Sequence, residues 1–495
     1  MNAELQALKN DVKRFIGRKF DDTYVQKLKN SDDYRFKIVK GDEGQTEVEV
    51  RYDGLIVRKS PEEICSEILK NMKESASEYL GTPVTEAVIS VPAYFSNAQR
   101  KATKAAAELS GLTVLKLITE PVAAAIHYAQ DRLNTNSTLL VFDFGGGTLD
   151  VSIIKVDGSM FAVKSIEGDS FFGGRDFDQM LLNSFKSAIQ ERLSVNVFDG
   201  RLLRRIQRMC EDLKKSLSFR AAHSIELYCL GEDANSLKLT MNRQQFDTLI
   251  GDSVERALGI MTKCLKGAGL TKENITDVLL VGGSTRIPKI REKLTSLFGV
   301  NKIRTNLNPD QAVALGAGIQ AAIFKKEFKK LEKYEITEIT PLSLGLRLED
   351  DLMAILIDKN SSIPKRSNPN ICYTVENNQK VASFNIYEGE RKNIKYNNLL
   401  GSFTIDNLPS GKAGDIKFEV VFHLDEDGIL EVSARETSTG KHNKLIVTLG
   451  EFRLCDHEIR QCIENAEQNK KDDELFDKYQ NKIQVPNALI FKSLQ

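Results

Sequence analysis

The chain has 495 residues, of which 41% are hydrophobic and 28% charged. This composition is typical of a soluble globular protein and excludes a wholly disordered chain. Lys and Arg together number 69, as do Asp and Glu, so the zero net charge predicts no broad surface for nucleic acid or anionic membrane. The sequence contains no apolar run long enough to span a membrane, and the charged segment 1–20 lacks the apolar core of a signal peptide.

The seven cysteines are scattered, without a C-x-x-C pair, which predicts reduced thiols and a cytoplasmic location. Cys455, His457 and Cys462 come nearest to a metal-binding cluster. These three residues lie in a charged helical stretch and have no fourth ligand. We therefore interpret the two cysteines as ordinary reduced thiols and not as zinc ligands.

Residues 1–335 alternate short β-rich runs with segments of helical period. Strands are predicted at 87–91, 113–118, 138–144 and 277–281, and helices at 96–109 and 178–192. Such alternation indicates an α/β architecture.

From residue 341 the pattern changes to strict alternation. Apolar residues at every second position of 416–424, a turn at 425–428 and renewed alternation from 430 predict a hairpin with one buried face. We therefore expect an antiparallel β domain at 341–450, an extended linker at 336–340, and a short helical segment at 451–495.

The strongest local motif is a strand, a glycine turn and a second strand. Gly145, Gly146 and Gly147 allow backbone N–H groups to converge on an anion, and Thr148 adds a hydroxyl. Asp143 and Asp150 flank the turn, where a water-bound Mg²⁺ would separate them from a phosphate. The alternative is an ordinary glycine-rich hairpin with two solvated aspartates.

Two further glycine pairs strengthen the nucleotide interpretation. Gly282, Gly283, Ser284 and Arg286 follow a strand and precede a helix that opens at Pro288, an arrangement that suits a phosphate or a ribose. Gly173 and Gly174 precede another helix. Three such turns in one α/β region favour a nucleotide cleft.

Two weaker signals are also present. Glu211, Lys214 and Ser218 share a helix face and suit ribose and phosphate, although such a trio is usually a solvated face. Glu120 lies after a strand, between Thr119 and Pro121. Either Glu120 orients a water, or Thr119 or Glu120 caps the following helix, whose first turn accommodates Pro121.

Motifs along nearly the whole chain resemble the seventy-kilodalton heat-shock chaperones. In family order these are Ile16-Gly-Arg-Lys-Phe20, Val91-Pro-Ala-Tyr-Phe95, Phe142-Asp-Phe-Gly-Gly-Gly-Thr148, Val281-Gly-Gly-Ser-Thr-Arg-Ile-Pro288, Asn308-Pro-Asp310, Pro341-Leu-Ser-Leu-Gly345 and Tyr387-Glu-Gly-Glu-Arg391. The resemblance implies an actin-like ATPase domain, a linker, a β-sandwich that binds extended apolar peptides, and a helical lid.

The resemblance also implies roles for individual residues. Catalysis and Mg²⁺ binding would involve Glu120, Asp143, Thr148 and Asp150, with Asp143 and Asp150 nearest the metal. ATP or ADP would contact Gly145, Gly146, Gly147, Thr148, Gly173, Gly174, Glu211, Lys214, Lys215, Ser218, Gly282, Gly283, Ser284 and Arg286. The peptide groove would be lined by Leu346, Leu348, Val375, Ala382 and Phe384.

The match begins inside the family pattern, after the family's first strand, first phosphate loop and a lysine-bearing hairpin. We therefore expect an ATPase domain incomplete at its N-terminus and a slow hydrolytic step. An ATP-dependent chaperone that binds unfolded polypeptides, J-domain co-chaperones and nucleotide-exchange factors is the first interpretation. The alternatives are a degenerate relative that does not hydrolyse ATP and an actin-fold sugar kinase, and the β domain argues against the kinase.

Overall fold

The structure is a computed structural model, and it divides into two compact units. We call Pro92–Tyr94 together with Thr119–Ile336 the central unit. The remainder, Met1–Val91, Phe95–Ile118 and Thr337–Gln495, is the split unit. The residues whose structure is described are 12–18, 20–29, 36–42, 44–52, 55–93, 95, 97–130, 136–169, 171–193, 200–230, 235–325, 334–340, 342–348, 351–425, 428, 430–447 and 489–491.

The first part of the split unit contains a three-stranded antiparallel meander and two longer helices. Its elements are α1 (Thr23–Lys29), β1 (Lys37–Lys40), β2 (Thr46–Tyr52), β3 (Leu55–Lys59), α2 (Pro61–Leu80), β4 (Glu86–Val91), α3 (Asn97–Leu109) and β5 (Thr113–Thr119), whose last residue belongs to the central unit. Helix α2 begins with a capping box between Ser60 and Glu63 and ends at Gly81, whose φ is 68°. The strands predicted at 87–91 and 113–118 and the helix predicted at 96–109 are confirmed with small shifts.

The central unit carries the glycine turns. Its elements are α4 (Glu120–Ala129), β6 (Ser137–Phe144), β7 (Leu149–Asp157), β8 (Met160–Asp169), α5 (Gly174–Leu193), α6 (Gly200–Leu217), β9 (Ala222–Leu230), β10 (Asn235–Asn242), α7 (Arg243–Leu249), α8 (Gly251–Gly267), β11 (Asp277–Val281), α9 (Pro288–Phe298), β12 (Ile303–Arg304) and α10 (Ala312–Phe324). The strands predicted at 138–144 and 277–281 are confirmed. The helix predicted to begin at Asp178 begins four residues earlier, at Gly174.

The sheet of the central unit has the strand order β12-β11-β6-β7-β8. Strand β11 is parallel to β6 and β12, whereas β7 is antiparallel to both of its neighbours, β6 and β8. Phe142, Phe144, Val151 and Ile153 are fully buried in the apolar core that this sheet forms with its helices. Burial on both faces explains the nearly continuous apolar runs in these strands.

The split unit resumes with a series of strands, and a short 3-10 helix lies at Ile394–Tyr396. The strands are β13 (Glu335–Ile339, whose first two residues belong to the central unit), β14 (Leu344–Arg347), β15 (Met353–Ile357), β16 (Ser362–Ile363), β17 (Lys365–Arg366), β18 (Asn370–Thr374), β19 (Val381–Glu388), β20 (Asn398–Asp406), β21 (Lys417–Leu424), β22 (Leu430–Glu436), β23 (His442–Val447) and β24 (Leu489–Phe491). The extended segment predicted around residues 336–340 is therefore mostly strand β13.

Two sheets share one apolar core in this region. Their strand orders are β15-β14-β19-β20 and β23-β22-β21-β18-β24. The predicted hairpin is confirmed as β21 and β22, and the alternating Phe418, Val420 and Phe422 point into the core. Apart from residues 489–491, the helical segment predicted at 451–495 lies outside the described residues. Of segment 451–495 only β24 is described, as a strand parallel to β18.

Within the described ranges, no helix is long and apolar enough to cross a membrane. The cysteines Cys65, Cys210, Cys264 and Cys372 are free thiols. Cys455 and Cys462 lie outside the described residues.

Candidate functional site

The three glycine turns predicted from the sequence meet in the central unit. The backbone N–H of Gly174 donates to the carbonyl oxygen of Gly145 at 3.0 Å, and that of Arg175 donates to Gly146 at 2.9 Å. The hydroxyl of Ser284 donates to the same Gly145 carbonyl at 2.8 Å. Segments far apart in the sequence therefore form one group of turns around the end of the β6–β7 hairpin.

Close backbone contact explains why glycine occupies these positions. A Cβ added to Gly173 would lie 2.5 Å from the backbone of Gly146, and one added to Gly282 would lie 2.5 Å from the backbone of Phe144. Gly282 also has φ +79°, which favours glycine. By contrast, a Cβ on Gly146 would meet no protein atom within 4 Å. The glycine turn therefore has one open side.

Two carboxylates stand at the base of this turn. Asp143 and Asp150 are directly opposite each other in the β6–β7 pairing, and they are only 7% and 2% exposed. Thr148 closes the turn, because its carbonyl accepts from the N–H of Gly145 at 3.0 Å. The predicted phosphate turn and the two predicted metal-binding residues thus lie together.

This donor set fits a hydrated magnesium ion. The described residues contain no group of three or more His, Cys, Asp or Glu side chains that could hold a metal alone. Mg²⁺ usually keeps several waters and takes one or two carboxylates together with substrate phosphates. Two buried carboxylates beside an open glycine turn match that requirement.

Glu120 is the first residue of α4, a helix that packs against β6 and β7. Thr119 is the N-cap residue, yet its side chain makes no capping hydrogen bond, and Pro121 lies in the first turn. The structure thus supports the predicted strand-to-helix junction at Glu120 but shows no side-chain cap by Thr119.

The predicted trio on α6 is only partly free to meet a ligand. Lys214 donates to the carbonyl of Gly174 and to the carboxylate of Asp178, both at 2.7 Å, so it holds the second glycine turn. Glu211 pairs with Lys215 at 2.7 Å, and both side chains are about half exposed. Ser218 lies one residue beyond the end of α6, and its N–H donates to the carbonyl of Lys215 at 3.1 Å.

The charges around this trio are coupled. Burial by itself would raise the pKa of Glu211, but the hydrogen bond and charge of Lys215, together with Lys214 and Arg175, hold that pKa below its ordinary value. Burial raises the pKa of Asp178, and Lys214 opposes this effect. Glu211 is therefore a stable carboxylate that is available to hydroxyl groups of a ligand.

Arg286 ends the third turn and is fixed by two residues of the following segment. Its guanidinium lies 2.6 Å from the carboxylate of Asp310 and 3.2 Å from the side-chain oxygen of Asn308. The sequence predicted no role for Asp178 or Asp310. Asp310 belongs to the family motif Asn308-Pro309-Asp310, which could have indicated that it lies near the site. No local sequence pattern indicated a role for Asp178.

The predicted peptide-groove residues lie in the β-rich part of the split unit. Leu346, Ala382 and Phe384 are buried in the apolar core between its two sheets. Phe384 stacks on Phe403 with ring centroids 5.1 Å apart. Leu348 and Val375 are half-buried, so only these two of the five residues are accessible to a ligand.

The loop that carries Val375 is well ordered by hydrogen bonds. The side-chain oxygen of Gln379 accepts from the N–H of Val375 at 3.0 Å, and its amide donates to the carbonyl of Val381 at 2.8 Å. Gln379 is 5% exposed. It therefore braces the turn between β18 and β19 from inside.

Comparisons with known proteins identify the protein family. A family model described as Hsp70 protein matches residues 3–490. The chain belongs to the Hsp70 family, and the family predicted from the motifs is confirmed.

Particular relatives are similar over most of the chain. A ribosome-associated molecular chaperone of Zygosaccharomyces rouxii is 38% identical over 473 residues, which cover 94% of this chain and 76% of the relative. A ribosome-associated molecular chaperone of Saccharomyces cerevisiae is 39% identical over 475 residues, with the same coverage. A heat shock 70 kDa protein of Neurospora crassa is 39% identical over 471 residues, which cover 94% of this chain and 72% of the relative. The prediction of a molecular chaperone of this family is confirmed.

Proposed function

We propose that this chain is an ATP-dependent molecular chaperone that binds extended apolar segments of unfolded polypeptides. The observation that carries the proposal is the convergence of three glycine turns beside Asp143 and Asp150 in a chain of the Hsp70 family. Relatives named as chaperones support this function over that of a degenerate relative without an ATPase cycle.

The proposed chain contains four consecutive parts. Residues 1–335 would form an actin-like ATPase domain, 336–340 a linker, 341–450 a β-sandwich that binds peptides, and 451–495 part of a helical lid. The two sheets around one core support the sandwich. The names of the ribosome-associated relatives and the free thiols support a cytoplasmic location.

In the proposed site, backbone N–H groups of Gly146 and Gly147 donate to a phosphate, and the hydroxyl of Thr148 lies beside it. Asp143 and Asp150 would hold a hydrated Mg²⁺, and the chemistry that this ion would supply is neutralisation of phosphate charge. Glu120 orients water at the start of α4. Glu211 and Ser218 contact the ribose, while Lys215 and Arg286 lie against the base.

Gly146→Ala should abolish most ADP binding without harming the fold. The added methyl group meets no protein atom within 4 Å, so it enters the open side of the turn, where we place the nucleotide. Losing one charge-assisted hydrogen bond costs about 1.5–3 kcal/mol, which corresponds to at least about a tenfold loss of affinity. Isothermal titration calorimetry with ADP and Mg²⁺ measures the change.

Gly259→Ala is the matched control. Gly259 lies in α8, and its added methyl group also meets no atom within 4 Å. It should leave ADP affinity unchanged. If Gly146→Ala and Gly259→Ala bind ADP equally well, the nucleotide does not occupy the open side of the glycine turn.

Val375→Ala should weaken the binding of an extended apolar peptide by about three- to tenfold, because a half-buried apolar side chain contributes about 1–1.5 kcal/mol when covered. Fluorescence anisotropy with a labelled apolar peptide measures the peptide affinity of the full chain. Ile355→Ala, which shortens an apolar side chain that is 48% exposed, should have no effect. Equal affinities of the two variants would exclude Val375 from the groove.

J-domain co-chaperones and nucleotide-exchange factors remain proposed partners on the basis of the family. The names of the ribosome-associated relatives do not identify them. Co-purification with a J-domain protein in the presence of ATP tests the first class.

A further inference from the structure

A polar cavity in the central unit lies beside the third glycine turn. Its volume is about 390 Å³, at the lower end of the range of about 300–1,000 Å³ that is typical of small-molecule sites. Three arginines and three neutral polar residues dominate its lining. These are Arg286, Arg291, Arg304, Thr305, Asn306 and Asn308.

Two of the three guanidinium groups have carboxylate partners. Arg304 forms an ion pair with Asp277, which is 2% exposed. Arg286 pairs with Asp310, whose side chain is 57% exposed. The positive charges of Arg286 and Arg304 are thus largely balanced within the protein.

Arg291 is different. It lies on α9, and its Nε donates to the carbonyl oxygen of Thr285 at 2.8 Å. Among the described residues, no carboxylate forms an ion pair with it. Burial and the like charge of Arg286 both lower the pKa of Arg291. The cavity therefore holds one positive charge that the surrounding protein does not neutralise.

Three arginines on one polar cavity are suited to a phosphate group. Guanidinium groups donate several hydrogen bonds in a planar fork that matches phosphate oxygens. Thr305 and Asn306 are exposed at the same cavity and supply neutral hydrogen-bonding groups. The volume leaves room for a small organic group attached to the phosphate.

We propose that this cavity is an anion site that binds a phosphate group, either as inorganic phosphate or as a small phosphomonoester, through Arg291 with Arg286 and Arg304. The site is separate from the phosphate turn at Gly145–Thr148. It shares only Arg286 with the proposed nucleotide site. Because Arg286 is shared, occupancy of the cavity should alter nucleotide affinity, and the nucleotide should alter phosphate affinity by the same factor.

Calorimetry with the full chain at low ionic strength tests the proposal without nucleotide. Inorganic phosphate and ribose 5-phosphate are titrated separately to about 10 mM, so the two arms distinguish the two sources of the phosphate group. Arg291→Gln should weaken the binding of the preferred ligand at least about tenfold, because it removes a charged donor.

Lys293→Gln is the matched control. Lys293 lies on the same helix and pairs with Glu255 at 2.6 Å, outside the cavity. Removal of its charge should change phosphate affinity by less than about twofold. Arg291→Lys, which retains the charge but not the planar fork, should give an intermediate loss and serves if Arg291→Gln does not fold.

Three results would overturn the site. The first is that neither ligand binds. The second is that Arg291→Gln and Lys293→Gln bind phosphate equally well. The third is that Thr148→Val, but not Arg291→Gln, removes binding, which would place the phosphate in the glycine turn. Failure of the unmodified chain to bind ADP would count against the proposed function alone, since the phosphate titration contains no nucleotide.

Discussion

Gly316→Ala should destabilise the central unit by more than about 3 kcal/mol, at the upper end of overpacking effects. Gly316 lies on α10, where a Cβ would come 1.8 Å from the carbonyl oxygen and 2.4 Å from the carbonyl carbon of Ala123 on α4. Backbone atoms cannot rotate away as a side chain can. The two helices would therefore have to separate.

Gly318→Ala is the control on the same helix. A Cβ at Gly318 meets nothing within 4 Å, and alanine favours a helix by about 1 kcal/mol over glycine. This variant should be neutral or stabilised. Thermal unfolding followed by circular dichroism, with hydrogen exchange of segments 120–129 and 312–324, separates the two cases. Equal melting of both variants would mean that α4 and α10 do not approach as closely as the structure shows.

The α4–α10 contact also matters for function. Glu120, the proposed water-orienting residue, is the first residue of α4. A shift of α4 away from α10 would move this carboxylate relative to Asp143, because α4 packs on β6. Gly316→Ala should therefore reduce any ATPase activity even where the protein remains folded, since misplacement of a catalytic group is costly.

Elements with a strong local pattern were predictable from the sequence. The strand at 277–281 agrees with β11, and the alternation around Phe418 and Val432 agrees with β21 and β22. Hydrophobic periodicity and apolar content depend only on consecutive residues, so both can be determined from the sequence. The three glycine turns in one α/β region favoured a nucleotide cleft, and the family motifs then implied roles for their individual residues.

Features set by distant partners were not predictable. Lys214 is held by Asp178, 36 residues away, and no periodic pattern links them. The first turn of α5 at Gly174 reads as a loop because glycine disfavours helices. The family resemblance implied that Phe384 lines a peptide groove, whereas the structure buries Phe384 in the core between the two sheets.

A buried carboxylate organises the turn between β22 and β23. Glu436 is 0% exposed, and its oxygens accept hydrogen bonds from the N–H groups and the hydroxyls of both Ser438 and Thr439. Burial alone would raise the pKa of Glu436, but these donors lower it to about 2. The carboxylate therefore stabilises the turn by accepting four hydrogen bonds from it. Gly440, with φ 73°, completes the turn.

Glu436→Gln should destabilise this hairpin by about 3 kcal/mol. Folding lowers the pKa of Glu436 from 4.5 to about 2, and each unit of this difference contributes about 1.4 kcal/mol to the free energy of unfolding. In the unmodified chain this stabilisation is fully present above about pH 4.5 and is lost as the pH falls towards 2, since the folded state must then take up a proton. Urea unfolding at about pH 6 and about pH 3, with hydrogen exchange of segment 430–447 at neutral pH, measures both effects.

Glu431→Gln on the same strand is the control, because it breaks a partly exposed pair with Lys444. It should cost less than about 1 kcal/mol of stability and should leave the pH dependence of unfolding unchanged. If Glu436→Gln loses no more stability than Glu431→Gln at pH 6, the carboxylate does not hold the turn.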